Sequence, residues 1–219
     1  MEARNSEQEG VIKYDLEFRS TKITEPDFEP KLQVLNRWRS VLWRLGLVGQ
    51  DPLRYGGLGF GNISIRIRGD AFLVSGSQTG HLSFLSTCDC AFVRDFDLAR
   101  NSLIAEGECR PSSEALSHGA LYDLHEGIGA VVHVHSPEIW QGFEQIGLRF
   151  TSETIPYGTP EMAFALQTEA NALLKMSSSG VVVMRGHHDG VISFGRDLED
   201  ATMVLLSAHA RAVKMKSRT

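Results

Sequence analysis

Short apolar runs that suit β-strands alternate with segments of helical periodicity along this chain of 219 residues. The runs ISIRI and FLVS are separated by the turn RGD, a pattern typical of a β-hairpin. Residues 28–45 instead repeat their apolar side chains every three or four positions, which predicts an amphipathic helix. Because hairpins and helices are mixed throughout, we expect an α/β fold whose mixed, largely antiparallel sheet has helices on both faces.

The sequence carries no sign of several domains, since no internal repeat, low-complexity tract or linker-like stretch divides it. We predict an N-terminal extension over residues 1–27, followed by one domain over residues 28–219. Within the extension, VIKYDLEFR alternates apolar with charged side chains. This period of two predicts a half-exposed strand at the edge of a sheet.

The composition argues against several kinds of partner. The net charge of −5 comes from 27 acidic and 22 basic residues, without the basic cluster expected of a nucleic-acid-binding surface. The apolar runs are far shorter than the roughly 20 residues that cross a bilayer, so we expect no membrane partner. A polar N-terminus and three cysteines predict a cytoplasmic protein with reduced thiols.

The stretch AVVHVHS, residues 130–136, places two histidines inside an apolar run. Side chains two apart on a strand point to the same face, so His133 and His135 are spaced as two ligands of one metal ion. The alternative is a pair of buried histidines satisfied by ordinary hydrogen bonds. A third ligand would come from His187 or His188, and three histidines are typical of a catalytic zinc site. We expect most of the remaining histidines to lie at the surface or beside the site: His81, His118, His125 and His209.

The segment RPSSE comes directly before a predicted helix and contains Ser112, Ser113 and Glu114. In a structural interpretation the serines cap the helix, and Glu114 in its first turn complements the helix dipole. In a functional interpretation free N–H groups and hydroxyls hold an anion such as phosphate, while Glu114 moves a proton beside the metal. The local sequence leaves both interpretations open.

The order of these motifs resembles the class II aldolase/adducin family. GNIS, a Thr-Gly loop in SGSQTG, PSSE, HVHS and a late GHHDG follow one another over roughly residues 30–212. The resemblance implies a three-layer α/β/α fold and a homotetramer. It also implies a divalent ion, Zn²⁺ or another such as Mn²⁺, held by His133, His135 and His187, with His188 as the alternative third ligand.

The resemblance assigns further residues of the site, with Glu114 as the catalytic acid and base. The implied contacts to substrate or phosphate are Asn62, Thr79, Gly80, Ser112 and Ser113. Two departures from the family pattern touch this pocket: Gly59 stands where a threonine is frequent, and the Thr-Gly loop reads SGSQTG. They leave open whether the substrate is phosphorylated.

The activity implied by the resemblance is that of a metal-dependent lyase of the aldolase type. Its substrate would be a small hydroxy-carbonyl compound such as a sugar phosphate, cleaved through a metal-stabilised enediolate while Glu114 shuttles the proton. Epimerisation, dehydration and decarboxylation pass through the same kind of intermediate and remain alternatives. A non-catalytic, adducin-like scaffold is the alternative from another functional class, and the retained histidines and glutamate argue against it.

Overall fold

The structure is a computed structural model that describes residues 10–217. The strands are β1 (Asp15–Ser20), β2 (Gly49–Gln50), β3 (Gly59–Phe60), β4 (Asn62–Arg68), β5 (Ala71–Ser75), β6 (Cys90–Asp97), β7 (Ser102–Gly107), β8 (Ala130–His135), β9 (Arg149–Phe150), β10 (Gly180–Val183) and β11 (Gly190–Gly195). The α-helices are α1 (Phe28–Arg44), α2 (Ala115–Leu124), α3 (Pro137–Gly142), α4 (Pro160–Leu174) and α5 (Leu198–Lys216). Within this part of the chain, no helix is both long enough and apolar enough to cross a bilayer.

The large sheet has nine strands in the order β1-β7-β6-β5-β4-β8-β11-β10-β9, and β2 pairs separately with β3. Among these described strands, β1–β7 and β9–β10 run parallel, and the other neighbouring pairs run antiparallel. The prediction of a mixed, largely antiparallel sheet is therefore confirmed. The N-terminal strand begins at Asp15 and lies at one edge of the sheet, paired with β7.

Helices cover both faces of the sheet. On one face α1, α3 and α5 share a buried core with the even-numbered residues of β8, such as Val132. On the other face α2 and α4 share a core with Val131 of the same strand. The three-layer α/β/α fold is thus confirmed. Because side chains alternate along a strand, His133 and His135 point to the face covered by α2 and α4.

Local sequence explains where three of the helices begin. Ser136, Thr159 and Asp197 each accept a hydrogen bond from the backbone N–H three residues later, at the starts of α3, α4 and α5. The helix α2 differs, since it begins at Ala115 and its N-cap residue Glu114 makes no side-chain capping bond. Glu114 therefore precedes the first turn, in which the structural interpretation of RPSSE had placed it.

The helix α2 is buried along most of its length, and so is its histidine. Ser64 Oγ lies 2.6 Å from His118 Nδ1 and 2.7 Å from Tyr122 Oη, which joins α2 to β4. Burial lowers the pKa of His118 to about 3, so its ring is neutral at ordinary pH. His118 is thus an interior residue. It is an exception to the expectation that most of the four remaining histidines lie at the surface or beside the site.

Candidate functional site

Three histidines meet where β8 ends. The pairing of β8 with β11 sets Gly190 opposite His135, so the turn that leads into β11 lies beside the end of β8. That turn carries His187. Ligand nitrogens of His133, His135 and His187 all lie within 4.8 Å of one another, and all three side chains are buried.

The structure separates the two candidates for the third position. The side chain of His187 is 3% exposed and belongs to the group, whereas that of His188 is 75% exposed and points outward. His188 Nδ1 lies instead 3.5 Å from Oδ2 of Asp189. The turn thus brings His187, and not its neighbour, to the histidines of β8.

The donor set fits a divalent transition-metal ion. Neutral imidazole nitrogens are common zinc ligands, and three of them leave one tetrahedral position open for water or substrate. His133 Nδ1 lies 3.2 Å from the carbonyl oxygen of Val191. A proton on Nδ1 donates to that carbonyl and leaves Nε2 as the ligand atom, which is how a metal-binding histidine is usually oriented.

Glu114 is the carboxylate beside this group. Its side chain is 1% exposed, and Oε1 lies 3.9 Å from Nδ1 of His187. Oε2 accepts a hydrogen bond of 2.8 Å from Ser117 Oγ, one turn along α2. This bond orients the carboxylate from within its own helix. A buried carboxylate next to three imidazoles is placed for proton transfer, a role that pure helix capping does not require.

A polar pocket adjoins the histidines. The residues that line it include Gly59, Ser77 and Gln78, together with all five that the family resemblance implied as substrate or phosphate contacts: Asn62, Thr79, Gly80, Ser112 and Ser113. Asn62 lies opposite His133 in the pairing of β4 with β8, so the pocket lies beside the three histidines. Its Oδ1 is buried without a hydrogen-bond partner within residues 10–217. The described lining residues include no Lys or Arg, so neutral donors would hold a ligand there.

Close backbone contact explains the glycine at position 59. A Cβ on Gly59 would lie 3.0 Å from the backbone nitrogen of Gly80, and a Cβ on Gly80 would lie 2.1 Å from the carbonyl oxygen of Gly49. The two loops therefore pack backbone to backbone. From behind, the buried Arg39 of α1 donates to the carbonyl oxygens of Thr79 (2.7 Å) and Leu82 (3.0 Å) and holds the Thr-Gly loop.

Sequence reasoning missed a hydrogen-bonded chain on the other side of the histidines. Arg54 Nη2 donates to Tyr55 Oη (2.8 Å), and Tyr55 Oη donates to Asp189 Oδ2 (2.7 Å). The ring of Tyr55 also meets that of His135 edge-on, with centroids 4.6 Å apart. Burial first, and then the bond to Asp189, raises the pKa of Tyr55, so the phenol keeps its proton. The motif GHHDG contained Asp189, but no local pattern tied it to RYGG.

Tyr157 is a second residue without a local signal. Its ring stacks on that of His187, with centroids 4.4 Å apart and an interplanar angle of 20°. Tyr157 belongs to the connection between β9 and α4, so it reaches the site from a segment that carries none of the recognised motifs.

The model of the family described as the Class II Aldolase and Adducin N-terminal domain matches residues 53–214. This chain belongs to the class II aldolase/adducin family. The three histidines, Glu114 and the five predicted pocket residues all lie inside the matched region. The strand β1 and the helix α1 precede it.

Two solved structures resemble this chain in fold. YgbL from Klebsiella pneumoniae is 18% identical, covers 87% of this chain and 90% of its own, and superposes with a TM-score of 0.61. L-fuculose-1-phosphate aldolase from Thermus thermophilus is 19% identical. The match covers 86% of this chain and 94% of the aldolase chain, with a TM-score of 0.61. At these identities the likeness concerns the fold.

A curated relative is closer in sequence over a shorter stretch. Methylthioribulose-1-phosphate dehydratase from Marinobacter nauticus is 38% identical over 77 residues, which cover 34% of this chain. The matched stretch spans about a third of the length of the dehydratase (33%). Class II aldolases depend on a divalent metal, and the buried three-histidine group is a donor set of the kind that such an ion requires.

Proposed function

We propose that this protein is a divalent-metal-dependent lyase that cleaves a small hydroxy-carbonyl compound, with Glu114 as acid and base. The observation that carries the proposal is the distance of 3.9 Å between Oε1 of Glu114 and Nδ1 of His187, inside a buried group of three histidines. A proton carrier and a potential ligand set thus share one water-poor site. Such a pair suits reactions in which negative charge develops on a substrate oxygen as a bond to carbon breaks.

The ligands in this proposal are His133, His135 and His187, and the preferred ion is zinc, with manganese as the alternative. An ion bound there supplies Lewis-acid stabilisation of negative charge on neighbouring substrate oxygens. The protein's own contribution is to orient the donors. Val191 accepts from His133, and the stacked ring of Tyr157 limits the rotation of His187.

Glu114 takes a proton from the substrate and returns one to the product. Ser117 holds Oε2, which leaves Oε1 on the side of His187. Burial limits the contact of the carboxylate with bulk water, which favours proton exchange with a bound substrate. Glu114 directly follows Ser113, which lines the polar pocket, so the proton carrier and the pocket are neighbours in the chain.

The polar pocket is proposed to hold a phosphate or a similar oxyanion of the substrate. Hydroxyls of Ser112 and Ser113, the amide of Asn62 and backbone N–H groups of the Thr-Gly loop are the available donors. Two relatives whose names specify a 1-phosphate, the aldolase and the dehydratase, support a phosphorylated substrate. A neutral donor set binds oxyanions through directed hydrogen bonds, so geometry rather than net charge selects the ligand.

The test is a turnover screen on protein of known metal content. Purified protein is analysed for bound metal, loaded with zinc, and incubated with aldose and ketose phosphates and with the matching unphosphorylated sugars. We expect about one zinc per chain and release of a smaller aldehyde or ketone from a phosphorylated substrate. Protein that binds no zinc and turns over nothing would instead support a non-catalytic scaffold.

Dehydration is the second candidate reaction, and the match of 38% identity to a dehydratase over 77 residues favours it. The same carboxylate would remove the proton, but a hydroxyl would leave instead of a carbon fragment. Mass spectrometry of the screen separates the two outcomes: loss of water indicates dehydration, and two carbon fragments indicate aldol cleavage.

The proposed assembly is a homotetramer, as the family resemblance implies. Size-exclusion chromatography with light scattering measures it directly. A monomer at micromolar concentration contradicts this part of the proposal.

A further inference from the structure

The segment that leads into β1 reaches the candidate site, although it precedes the residues that the family match covers. Gly10 lines the polar pocket. Asn101 anchors the segment: its carbonyl oxygen accepts from Asp15 N (2.8 Å), and its Nδ2 donates to the carbonyl oxygen of Lys13 (3.0 Å). Lys13 and Tyr14 are therefore held in place by backbone contacts that do not involve their own side chains.

The side chain of Tyr14 is directed to the turn that carries the proposed proton carrier. It is 5% exposed, and Oη donates a hydrogen bond of 2.8 Å to the carbonyl oxygen of Ser112. The same carbonyl accepts from the N–H of Ala115, the first residue of α2 (3.0 Å). Tyr14 thus fixes the point from which α2 starts, with Ser113 and Glu114 between the two bonded residues.

The phenol of Tyr14 is also close enough to Glu114 to be affected by its charge. Burial first, and then the negative charge of Glu114, raises the pKa of the Tyr14 phenol. The hydroxyl therefore stays protonated at neutral pH and remains a donor to Ser112.

The side chain of Lys13 is directed to the aromatic ring that contacts a proposed metal ligand. Its Nζ donates to the carbonyl oxygen of Tyr157 (3.1 Å) and lies 3.6 Å from the centroid of the Tyr157 ring. The Tyr157 ring in turn stacks on His187. An ammonium group over an aromatic face is attractive, and more so when it is partly buried. Lys13 thus limits the movement of the ring against which His187 rests.

We propose that Lys13 and Tyr14 are positioning residues of this site: Lys13 holds Tyr157 against His187, and Tyr14 holds the turn from Ser112 to Glu114. The two side chains end on carbonyl oxygens of two distant segments, and both segments belong to the site. An edge strand that served only to cover the sheet would need apolar contacts there, without these two directed polar ones. The inference deepens the proposed function, on which it rests for the role of the ion.

The proposed role of Lys13 is tested with zinc alone. Lys13→Met keeps the aliphatic chain and removes the charge, and Lys13→Arg restores a cation. We expect about tenfold weaker zinc binding for Lys13→Met, measured by competition with a chromophoric chelator. The absorption spectrum of the Co²⁺ form should also change, and Lys13→Arg should recover both. Lys22→Met, an exposed lysine just after β1, is the matched control and should match the wild type.

The outcomes separate this inference from the proposed function. Wild-type protein that binds no zinc contradicts the proposed function. Wild-type protein that binds zinc, with a Lys13→Met variant of equal affinity and spectrum, overturns the role of Lys13. If Lys13→Met does not fold, Lys13→Gln is compared in the same way.

The proposed role of Tyr14 is tested with inorganic phosphate and with hydrogen exchange. Tyr14→Phe removes one hydroxyl, and Tyr122→Phe is the matched control, a buried phenol bonded to Ser64 away from the site. We expect Tyr14→Phe to weaken phosphate binding about fivefold and to speed amide exchange at the start of α2. Tyr122→Phe should leave both phosphate binding and amide exchange at the start of α2 unchanged. Equal exchange in Tyr14→Phe and wild type overturns the role of Tyr14, whether or not phosphate binds.

Discussion

Tyr55 donates a hydrogen bond of 2.7 Å to Asp189, and this bond joins the glycine-rich loop to the turn that carries His187. The two residues lie 134 positions apart in the sequence. Both have a left-handed backbone, with φ of 50° at Tyr55 and 61° at Asp189. For a bulky side chain this conformation costs about 1–3 kcal/mol, so surrounding contacts must hold it. The cost falls on Tyr55, because aspartate adopts this conformation readily, and a strained tyrosine at this place points to a role in the geometry of the site.

Tyr55→Phe should therefore weaken metal binding while it leaves the ring contact with His135 in place. We expect about tenfold lower zinc affinity and a loss of about 1 kcal/mol in the free energy of unfolding. Competition with a chelator and chemical denaturation measure the two effects. Asp189→Asn is the control, because its amide oxygen still accepts from Tyr55 and asparagine tolerates positive φ. Unchanged zinc affinity in Tyr55→Phe would show that the bond has no part in the site.

Replacement of single histidines should separate ligands from neighbours. His133→Ala and His187→Ala each remove one of three nitrogens, so zinc content after dialysis should fall close to zero. His188→Ala changes a side chain that is 75% exposed and should retain the metal. Elemental analysis of the three variants measures the difference. Loss of zinc from His188→Ala, or full zinc in His133→Ala, contradicts the ligand set.

Glu114→Gln should abolish turnover but not metal binding. The amide keeps the size of the side chain and can still accept from Ser117, but it cannot carry a proton. We expect kcat to fall by about 10²- to 10⁴-fold with unchanged zinc content. Glu126→Gln, at an exposed position just beyond the end of α2, is the matched control and should be as active as the wild type. Substantial activity in Glu114→Gln would assign the proton transfer to another group.

Acid should destabilise the protein through His118. Burial lowers its pKa to about 3 from an ordinary value near 6.5. Between these values the unfolded chain binds a proton that the folded protein does not, so stability falls as the pH drops below 6.5. The loss is at most about 1.4 kcal/mol per pH unit from this group, and it ends near pH 3.

The comparison that isolates this effect uses His118→Asn, which retains a polar partner for Ser64 but does not titrate. Denaturation of metal-free protein at pH 7.5 and pH 5 gives the change in the free energy of unfolding. We expect that change to be about 2 kcal/mol larger in the wild type than in His118→Asn. Equal changes in the two proteins would mean that His118 is accessible to protons in the folded state.

The local periodicities predicted much of the fold and part of the candidate site. The alternation in AVVHVHS was sufficient to place His133 and His135 on one face, because side-chain direction repeats every two residues along any strand. For the same reason VIKYDLEFR predicted an edge strand. The sequence did not predict the buried position of His118. Nearly all of α2 is buried, and the burial of a whole helix depends on what packs around it.

What the sequence by itself determined was the mixture of hairpins and helices, the shared face of two histidines and the motifs that mark the family. The tertiary structure placed His187, and not His188, beside the other two histidines, since the direction of a side chain in a turn depends on backbone angles set by the strands on either side. The tertiary structure also brought Tyr55 to Asp189 and Lys13 to Tyr157, across 134 and 144 positions of chain. Contacts at such separations leave no local periodicity, because they arise only when the strands pair and the helices pack over them.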